Sequence, residues 1–575
     1  MAPGIEALVQ VEDGARWLRL TAPVRIVEAS RPEEIAGALR TVERLSASLG
    51  CHAVGFVQYE TACAFGLAAG PASTALPLVW FALFPAAAGL AVAPPEPAGS
   101  YQLGPVRAAI DPRTFVRSVR TIRRHIADGD TYQVNYTFPL RAAFRGDPAS
   151  LFADLTRMQQ GRYSVYIRIG GQAICSASPE LFFARTRGQL VARPMKGTAP
   201  RGLTPEADER QAERLRSSLK ERAENVMIVD MMRNDLGRVA SVGSVTVPAL
   251  FTLEAYPTVW QLTSTIEATS GAPLDAVFEA LFPAASVTGA PQVRTMQIIS
   301  TLEPEPRGVY TGAIGYVAPD GRTHFNVAIR TAVVDLERDA LVFGVGSGIV
   351  WDSDPEREYE ECLLKGAILG RQRPSFDLLE TLRWTPRDGF LRLDRHLRRL
   401  QASARYFGFV YSEPAARAAL DRVAAHADGP QRVRLLLASD GRVRTEHRPF
   451  VEHAAPWRLR FAARPVDPSD VFLFHKTTDR SRYEAFRLPD CDDVVLWNAA
   501  GEITESTIAN IVADLDGELV TPPVGAGLLP GTFRAELLAA GRIVERSISL
   551  GALRRARALW LVNSLRGWCT ACLVD

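Results

Sequence analysis

Four lysines, Lys196, Lys220, Lys365 and Lys476, are the only ones in a chain that carries 66 basic residues; the rest are arginine. An ammonium can lose its proton when buried and act as a nucleophile, a base or a Schiff-base partner, and a guanidinium cannot. Where any cation would serve, this chain uses arginine, so its lysines are enriched at positions that need an amine; the alternative is that four have survived by chance. Two carboxylate pairs lie near them in sequence. In QAERLRSSLKERAENVMIVDMMRND (211–235) the helical period puts Glu221 and Glu224 on one face, and in EREYEECLLKG (356–366) it aligns Glu358, Glu361 and Lys365. Such pairs on two helices could hold a hard cation such as Mg²⁺, which takes one or two direct carboxylates and keeps waters and substrate oxygens. Taken alone, the same spacing also describes solvated helix faces.

The elements that must position these groups can be read along the chain. Phe115, Val119, Ile122 and Ile126 form the stripe of an amphipathic helix. SVYIRIG and ICSASPELFFART read as strands, and AVVDLERDALVFGVGSGIV reads as a hairpin. Pro355 suits the first turn of the helix that follows Asp352 and Ser353. No charged residue occurs between Glu60 and Glu96, but Pro77, Pro85 and Gly89 interrupt the run, so a buried strand and a loop are expected there rather than a membrane span. APPEPAGSYQLGP (93–105) reads as a linker, and ILGRQRPSFDL (368–378) as a domain junction. With 575 residues, more than one domain is expected. A net charge of +2 argues against binding nucleic acid or anionic membrane by bulk charge. Seven scattered cysteines and an acidic start without a basic-then-apolar run point to the cytoplasm.

A series of sequence words then occurs in order: GDTYQVN (129–135), SPELFF (178–183), RPMKGTAPRG (193–202), ENVMIVDMMRNDLGRV (224–239), FPAASVTGAPQVRTM (282–296), YTGAIGY (310–316), HFNVAIRTA (324–332) and GVGSGIVWDSDPEREYEECLLKG (344–366). Together with GFVQYE and PLVWFALF, these resemble the chorismate-utilising enzymes over roughly residues 1–370. The resemblance implies a large domain of layered, mainly antiparallel sheets with helices around one deep site. It implies that Glu224 and Glu361 ligate Mg²⁺, with Glu221 and Glu358 ligating directly or through water, and that Glu180 protonates the departing C4 hydroxyl of chorismate. Arg330, Lys365, Tyr316 and the backbone at Gly346 and Gly348 would bind carboxylates, and Ser286, Thr288 and Gly289 would line the pocket. Within the family, water-adding members carry lysine where this chain has Gln133. Anthranilate synthases carry a small residue where it has Lys196, and aminodeoxychorismate synthases carry lysine. The Lys196 amine would therefore attack C2, and ammonia would displace it at C4. Gln261 stands where many relatives have histidine, and Gln292 where lysine is usual. No cysteine sits in a Gly-x-Cys-x-Gly turn, so ammonia is expected from a separate glutamine amidotransferase subunit or from solution.

LLETLRW (378–384), HLRRLQASARYFGF (396–409), HKTTDRSRYEAF (475–486), NAAGEITESTIANI (498–511), GLLPGTFR (527–534) and NSLRGW (563–568) resemble the fold-type IV pyridoxal-phosphate enzymes, the 4-amino-4-deoxychorismate lyases in particular. The resemblance implies two subdomains, Lys476 as the cofactor's Schiff-base lysine and Glu505 as the partner of the pyridine nitrogen. Arg399, Gly531 and Thr532 would cradle the phosphate. Asn510 would support the Glu505 strand, and Asn563 and Ser564 would contact the pocket. A homodimer through this half is expected.

The fold expectation is thus multidomain, α/β and α+β: an amino-terminal part (1–100), a chorismate-binding domain (101–370), a linker (371–375) and a pyridoxal-phosphate domain (376–575). The functional expectation is synthesis of 4-aminobenzoate, a folate precursor, from chorismate and ammonia in two steps. The alternatives are an anthranilate synthase component fused to an aminotransferase, and a synthase with a non-catalytic second half. The Cys569/Cys572 pair, the eight histidines and GVGSG carry no metal or dinucleotide pattern.

Overall fold

The computed structural model describes residues 4–11, 14, 16–71, 75–370, 374–453 and 456–574; residues 371–373 of the expected linker lie outside these. The chain divides into two compact units. One comprises Met1–Pro200 and Ala212–Arg373, and the other Arg201–Gln211 and Pro374–Asp575. Arg201–Gln211 therefore packs with residues far from it in sequence: Arg201 pairs with Asp208, stacks over the Tyr406 ring and donates to the Tyr406 carbonyl.

The first unit is built on two large antiparallel sheets. The strand Gln133–Gly146 runs beside Ala340–Ile349 in one, which extends through Thr331–Asp335 and Gln172–Ser176 to Ile5–Val11. In the other, Met195–Pro200 and Gln189–Arg193 flank Val259–Thr269, and the sheet continues through Leu181–Thr186 to Cys51–Val57 and Val79–Pro85. The first hundred residues thus supply strands to both sheets.

Strand Val79–Pro85 explains the charge-free run. Val79, Phe81 and Leu83 join a core shared with helix Ile35–Leu49, while Trp80, Ala82 and Phe84 join a core shared with Val9, Leu18 and Leu20 of the other sheet. Period-two alternation sends successive side chains to opposite faces, and here both faces are covered. Each of the larger of these side chains contributes roughly 1.5–3 kcal/mol by leaving water, and both faces of the strand are covered, so no position on it favours a charge. Among the described residues, no helix is long and apolar enough to cross a membrane.

Helices seal the outer faces. Helix Pro112–Ala127, capped by Asp111 accepting from the Thr114 amide, buries Phe115, Val119 and Ile122 under the strand Gln133–Gly146. Helix Leu219–Gly237, capped by Ser218, buries Ile228, Val229, Met232 and Leu236. Helix Pro355–Gly366 starts at an Asp354 cap, its Pro355 at the first position where no amide is needed.

In the second unit, a four-stranded antiparallel sheet (Gly389–Phe390, Leu378–Thr385, Gln431–Leu437, Val443–Pro449) packs on helices Leu393–Phe407 and Glu413–Ala424 through Leu382, Leu397, Leu400, Leu420 and Leu435. An eight-stranded mixed sheet follows. Its core joins Leu459 and Val495 to Ile503, Ile511 and Leu561.

Candidate active sites

In the first unit a cavity of about 310 Å³ is lined by strands Met195–Pro200 and Ala340–Ile349 and by helices Leu219–Gly237 and Pro355–Gly366. Glu221, Glu224, Glu358 and Glu361 all line it, so the two helical pairs face one space. Burial and the neighbouring Glu224 both push the Glu221 carboxyl up. Ser347 Oγ donates to Glu358, and Lys365 Nζ lies 2.7 Å from Glu361. Burial works against the charge on Glu361, yet Lys365 holds it below the usual carboxylate range. Among the described residues no three His, Cys, Asp or Glu side chains converge closely enough to hold a metal by themselves. Crowded carboxylates with no nitrogen or sulfur donor nonetheless fit Mg²⁺, which keeps water and substrate oxygens in its shell.

Lys196 stands on the strand Met195–Pro200, its side chain 17% exposed and its Nζ 3.5 Å from Glu224. Asn225 Nδ2 donates to the Lys196 carbonyl at 2.9 Å, while Asn225 Oδ1 accepts from Ser264. Gly348 leaves room for the amine: a Cβ there would lie 2.8 Å from Lys196 Nζ and 3.1 Å from Gln133 Nε2. Gln133 is fully buried, and neither polar atom of its side chain has a hydrogen-bond partner among the described residues. Glu180 is 4% exposed and accepts from Ser286 Oγ at 2.6 Å. Burial pushes its carboxyl up to about 7, outweighing that hydrogen bond and the charge of Lys196.

Arg330 and the backbone at Gly346 and Gly348 also line this cavity. Arg330 sits at a left-handed φ of 53° and donates to the Lys365 carbonyl, and Lys365 Nζ donates to the Gly346 carbonyl. Three expected residues are elsewhere. Tyr316 stacks on His324, because its strand Ala313–Val317 turns that face toward the inter-sheet core. Thr288 is buried against the Ala284 carbonyl, and Gly289 pairs with Val134. Tyr310, at the other end of the same YTGAIGY word, lines the cavity instead, with Tyr256 and Asn135. Gln261 accepts from Thr198 at the cavity wall, and Gln292 is a structural residue that donates to the Pro283 carbonyl.

In the second unit Lys476, Glu505, Arg399, Asn510, Gly531, Thr532, Asn563 and Ser564 line one cavity of about 380 Å³. Burial, with Arg399 and Arg480 adding to it, pulls the Lys476 amine down to about 8. Glu505 accepts from Tyr483 Oη at 2.9 Å, the Leu529 amide at 3.2 Å and Asn510 Nδ2 at 3.3 Å. Burial still pushes its carboxyl up to about 8, outweighing these hydrogen bonds and the charges of Lys476 and Arg480. Gly531 lets Asn510 approach closely: a Cβ there would lie 2.0 Å from Asn510 Oδ1 and would displace that side chain from Glu505. The turn it makes exposes the first amides of helix Thr532–Ala539.

Two residues the sequence did not single out anchor this end. Glu380 receives both Nε and a terminal nitrogen of Arg399, at 2.8 and 2.7 Å, and faces His396 Nδ1 at 2.6 Å. Burial opposes its charge, but Arg399 and His396 hold its carboxyl down to about 2. His396 Nε2 in turn lies 2.8 Å from Ser564 Oγ and 3.3 Å from Thr532 Oγ1. Arg399, Thr532 and Ser564 are therefore oriented as one network. An aldehyde-bearing phosphate ester with a ring nitrogen fits this set: a lysine of lowered pKa, a buried carboxylate and a helix amino terminus beside hydroxyls.

Comparison with known proteins finds two families in turn along the chain. Residues 86–370 match the chorismate binding enzyme family, and residues 377–573 match the amino-transferase class IV family. Over 248 residues, 43% of this chain and 54% of the relative, the chain is 44% identical to aminodeoxychorismate synthase component 1 of Salmonella typhimurium. It is 43% identical over 258 residues to an anthranilate synthase component 1 of Haloarcula marismortui, covering 44% of this chain and 52% of the relative. The chain thus spans about half the length of these relatives. The crystal structure of anthranilate synthase component I from Streptococcus pneumoniae shares the fold, with a TM-score of 0.53 at 24% identity, over 62% of this chain and 92% of that one.

Proposed function

We propose that this chain, which carries a chorismate-binding domain followed by an amino-transferase class IV domain, makes 4-aminobenzoate from chorismate and ammonia in two steps. The observation that carries the reading is the placement of its four lysines. Lys196, Lys220 and Lys365 line the first cavity and Lys476 the second, in a chain that uses arginine everywhere else.

In the first step Arg330 and Lys365 bind the substrate carboxylates. Glu224 and Glu361, with Glu221 and Glu358 beside them, would hold Mg²⁺, which supplies positive charge for the ring carboxylate. Lys196 Nζ bonds to C2 while the C4–O bond breaks, and Glu180 gives the leaving oxygen its proton so that water departs. Ammonia, from a separate glutamine amidotransferase subunit or from ammonium, then bonds to C4 as the C2–N bond to Lys196 breaks. The product is 4-amino-4-deoxychorismate. In the second step pyridoxal phosphate, when bound, supplies an electron sink conjugated to the substrate amine. Lys476 Nζ would hold the cofactor and, once freed, accept the C4 proton; Glu505 would face the ring nitrogen, and Arg399, Gly531 and Thr532 would seat the phosphate with Ser564 beside them. The C3–O bond then breaks, the proton that Lys476 took from C4 goes to the departing enolpyruvate to give pyruvate, and the ring is left as the aromatic amine.

Glu180 must carry a proton to act. With a pKa raised to about 7, it is protonated below that pH and loses the proton above it, so the rate of the first step falls as pH rises through about 7. Glu180→Gln lowers that rate by about 10²–10⁴-fold and abolishes this limb of the pH profile, measured as kcat for chorismate consumption.

The reading is tested by supplying chorismate, ammonium and Mg²⁺ without pyridoxal phosphate. Accumulation of 4-amino-4-deoxychorismate is expected, and formation of ortho-aminobenzoate would favour the anthranilate reaction of the Haloarcula relative.

A further inference from the structure

The cavity around Lys476 is more cationic than a cofactor phosphate and one substrate carboxylate require. Arg432, Arg434, Arg480, Arg487 and Arg566 line it, and the carboxylates in its wall are Glu484 and Glu505. Arg434 is paired with Glu446 on the neighbouring strand, and Arg480 donates to the Thr507 carbonyl. Arg432 and Arg566 differ from these. The Nε of each is buried and has no hydrogen-bond partner among the described residues. Burial and the nearby Arg448, Arg434, Arg566 and Arg480 all pull the Arg432 guanidinium down from its ordinary value. Like charges gathered around buried, unanswered donors are costly unless an anion meets them. Thr532 and Ser564, expected at the cofactor phosphate, are oriented by His396 with Glu380 and Arg399, a network whose hydrogen bonds do not involve Arg432 or Arg566.

We infer that Arg432 and Arg566 form a carboxylate clamp beside Lys476, selecting an amine that bears two carboxylates over one that bears a single carboxylate. The inference rests on the reading of Lys476 as the cofactor lysine and deepens it. An ordinary α-amino acid brings one carboxylate to such a site, whereas an amine derived from chorismate brings a ring carboxylate and an enolpyruvyl carboxylate. The planar guanidinium fork matches a carboxylate through two parallel hydrogen bonds, which ammonium cannot reproduce. Arg432 is held on the strand Gln431–Leu437, and the Arg566 amide is fixed by Asn563 Oδ1 at 2.9 Å, so both forks start from rigid backbone.

The experiment compares isophthalate with benzoate as ligands of the full chain loaded with pyridoxal phosphate, by calorimetry, in the wild type and in Arg432→Gln and Arg566→Gln. The wild type should bind isophthalate at least about tenfold tighter than benzoate, and rising ionic strength should erode that preference. Each variant should bring the ratio toward one and raise KM for 4-amino-4-deoxychorismate about tenfold, with kcat less affected and cofactor absorbance unchanged. Arg432→Lys should recover only part of the loss. Equal binding of both ligands by the wild type would overturn the clamp. So would variants that keep the preference and the KM, or variants that release the cofactor, which would assign these arginines to the phosphate. Should a glutamine variant fail to fold, the KM for 4-amino-4-deoxychorismate in Arg432→Lys, which keeps the charge and is read on the second step alone, decides the matter: an unchanged KM would overturn the clamp. A wild type that prefers isophthalate yet yields no 4-aminobenzoate would leave the clamp standing and remove the lyase reading.

Discussion

Lys196→Ala is expected to stop the chorismate step almost completely, with a loss of about 10⁴-fold or more, and to abolish any covalent chorismate adduct. The expectation follows from where the amine stands. Its strand is tied to the helix behind it through Asn225, its Nζ lies 3.5 Å from Glu224, and Gly348 leaves the space into which it reaches. Across that space lies Gln133, buried with unsatisfied amide atoms, so the amine faces a polar neighbour that is not a competing base. Lys196→Arg should be as inactive as the alanine variant, because a guanidinium keeps the charge and loses the nucleophile. Intact-mass measurement after acid quench reads the adduct directly; a chorismate adduct persisting in Lys196→Ala would remove the assignment. Both variants should still convert supplied 4-amino-4-deoxychorismate, since Lys476 is untouched.

Lys476→Ala should have the mirror effect. The chorismate step continues, 4-amino-4-deoxychorismate accumulates, and 4-aminobenzoate formation falls by about 10⁴-fold or more. Borohydride reduction of the wild type should attach pyridoxal phosphate to the peptide bearing Lys476, and the variant should remain unlabelled. The lowered pKa of about 8 sets the pH dependence of loading. The amine is charged below that value and free above it, so cofactor capture quickens as pH rises through about 8. A wild type that stays colourless and unlabelled would instead favour a second half that serves as a scaffold.

Much of both sites was legible because helical period and residue type are local properties. Glu221 with Glu224, and Glu358 with Glu361 and Lys365, share faces by spacing alone, and the scarcity of lysine pointed to Lys196 and Lys476 before any contact was known. The charge-free stretch before Glu96 was readable as a buried strand, and the sheet pairing shows why both of its faces exclude charge. What escaped depends on packing across long sequence separations. Tyr310 and Tyr316 end the same word, and only the face on which Ala313–Val317 packs decides which of them reaches the cavity. Glu380 looks like one polar residue in a strand until Arg399 and His396, on a helix 16 to 19 residues later, close on it. Arg201–Gln211 follows the Lys196 strand directly in sequence, yet it belongs to the second compact unit, with Arg201 against Tyr406 and Leu203 in a cluster with Phe474. No local pattern announces such a partition.

The most direct measurement is a timed chromatogram of one wild-type reaction holding chorismate, ammonium, Mg²⁺ and pyridoxal phosphate. Chorismate should decline, 4-amino-4-deoxychorismate should rise and fall, and 4-aminobenzoate and pyruvate should appear in equal amounts. Release of ortho-aminobenzoate, or persistence of the aminated intermediate with a fully loaded cofactor, would contradict the account.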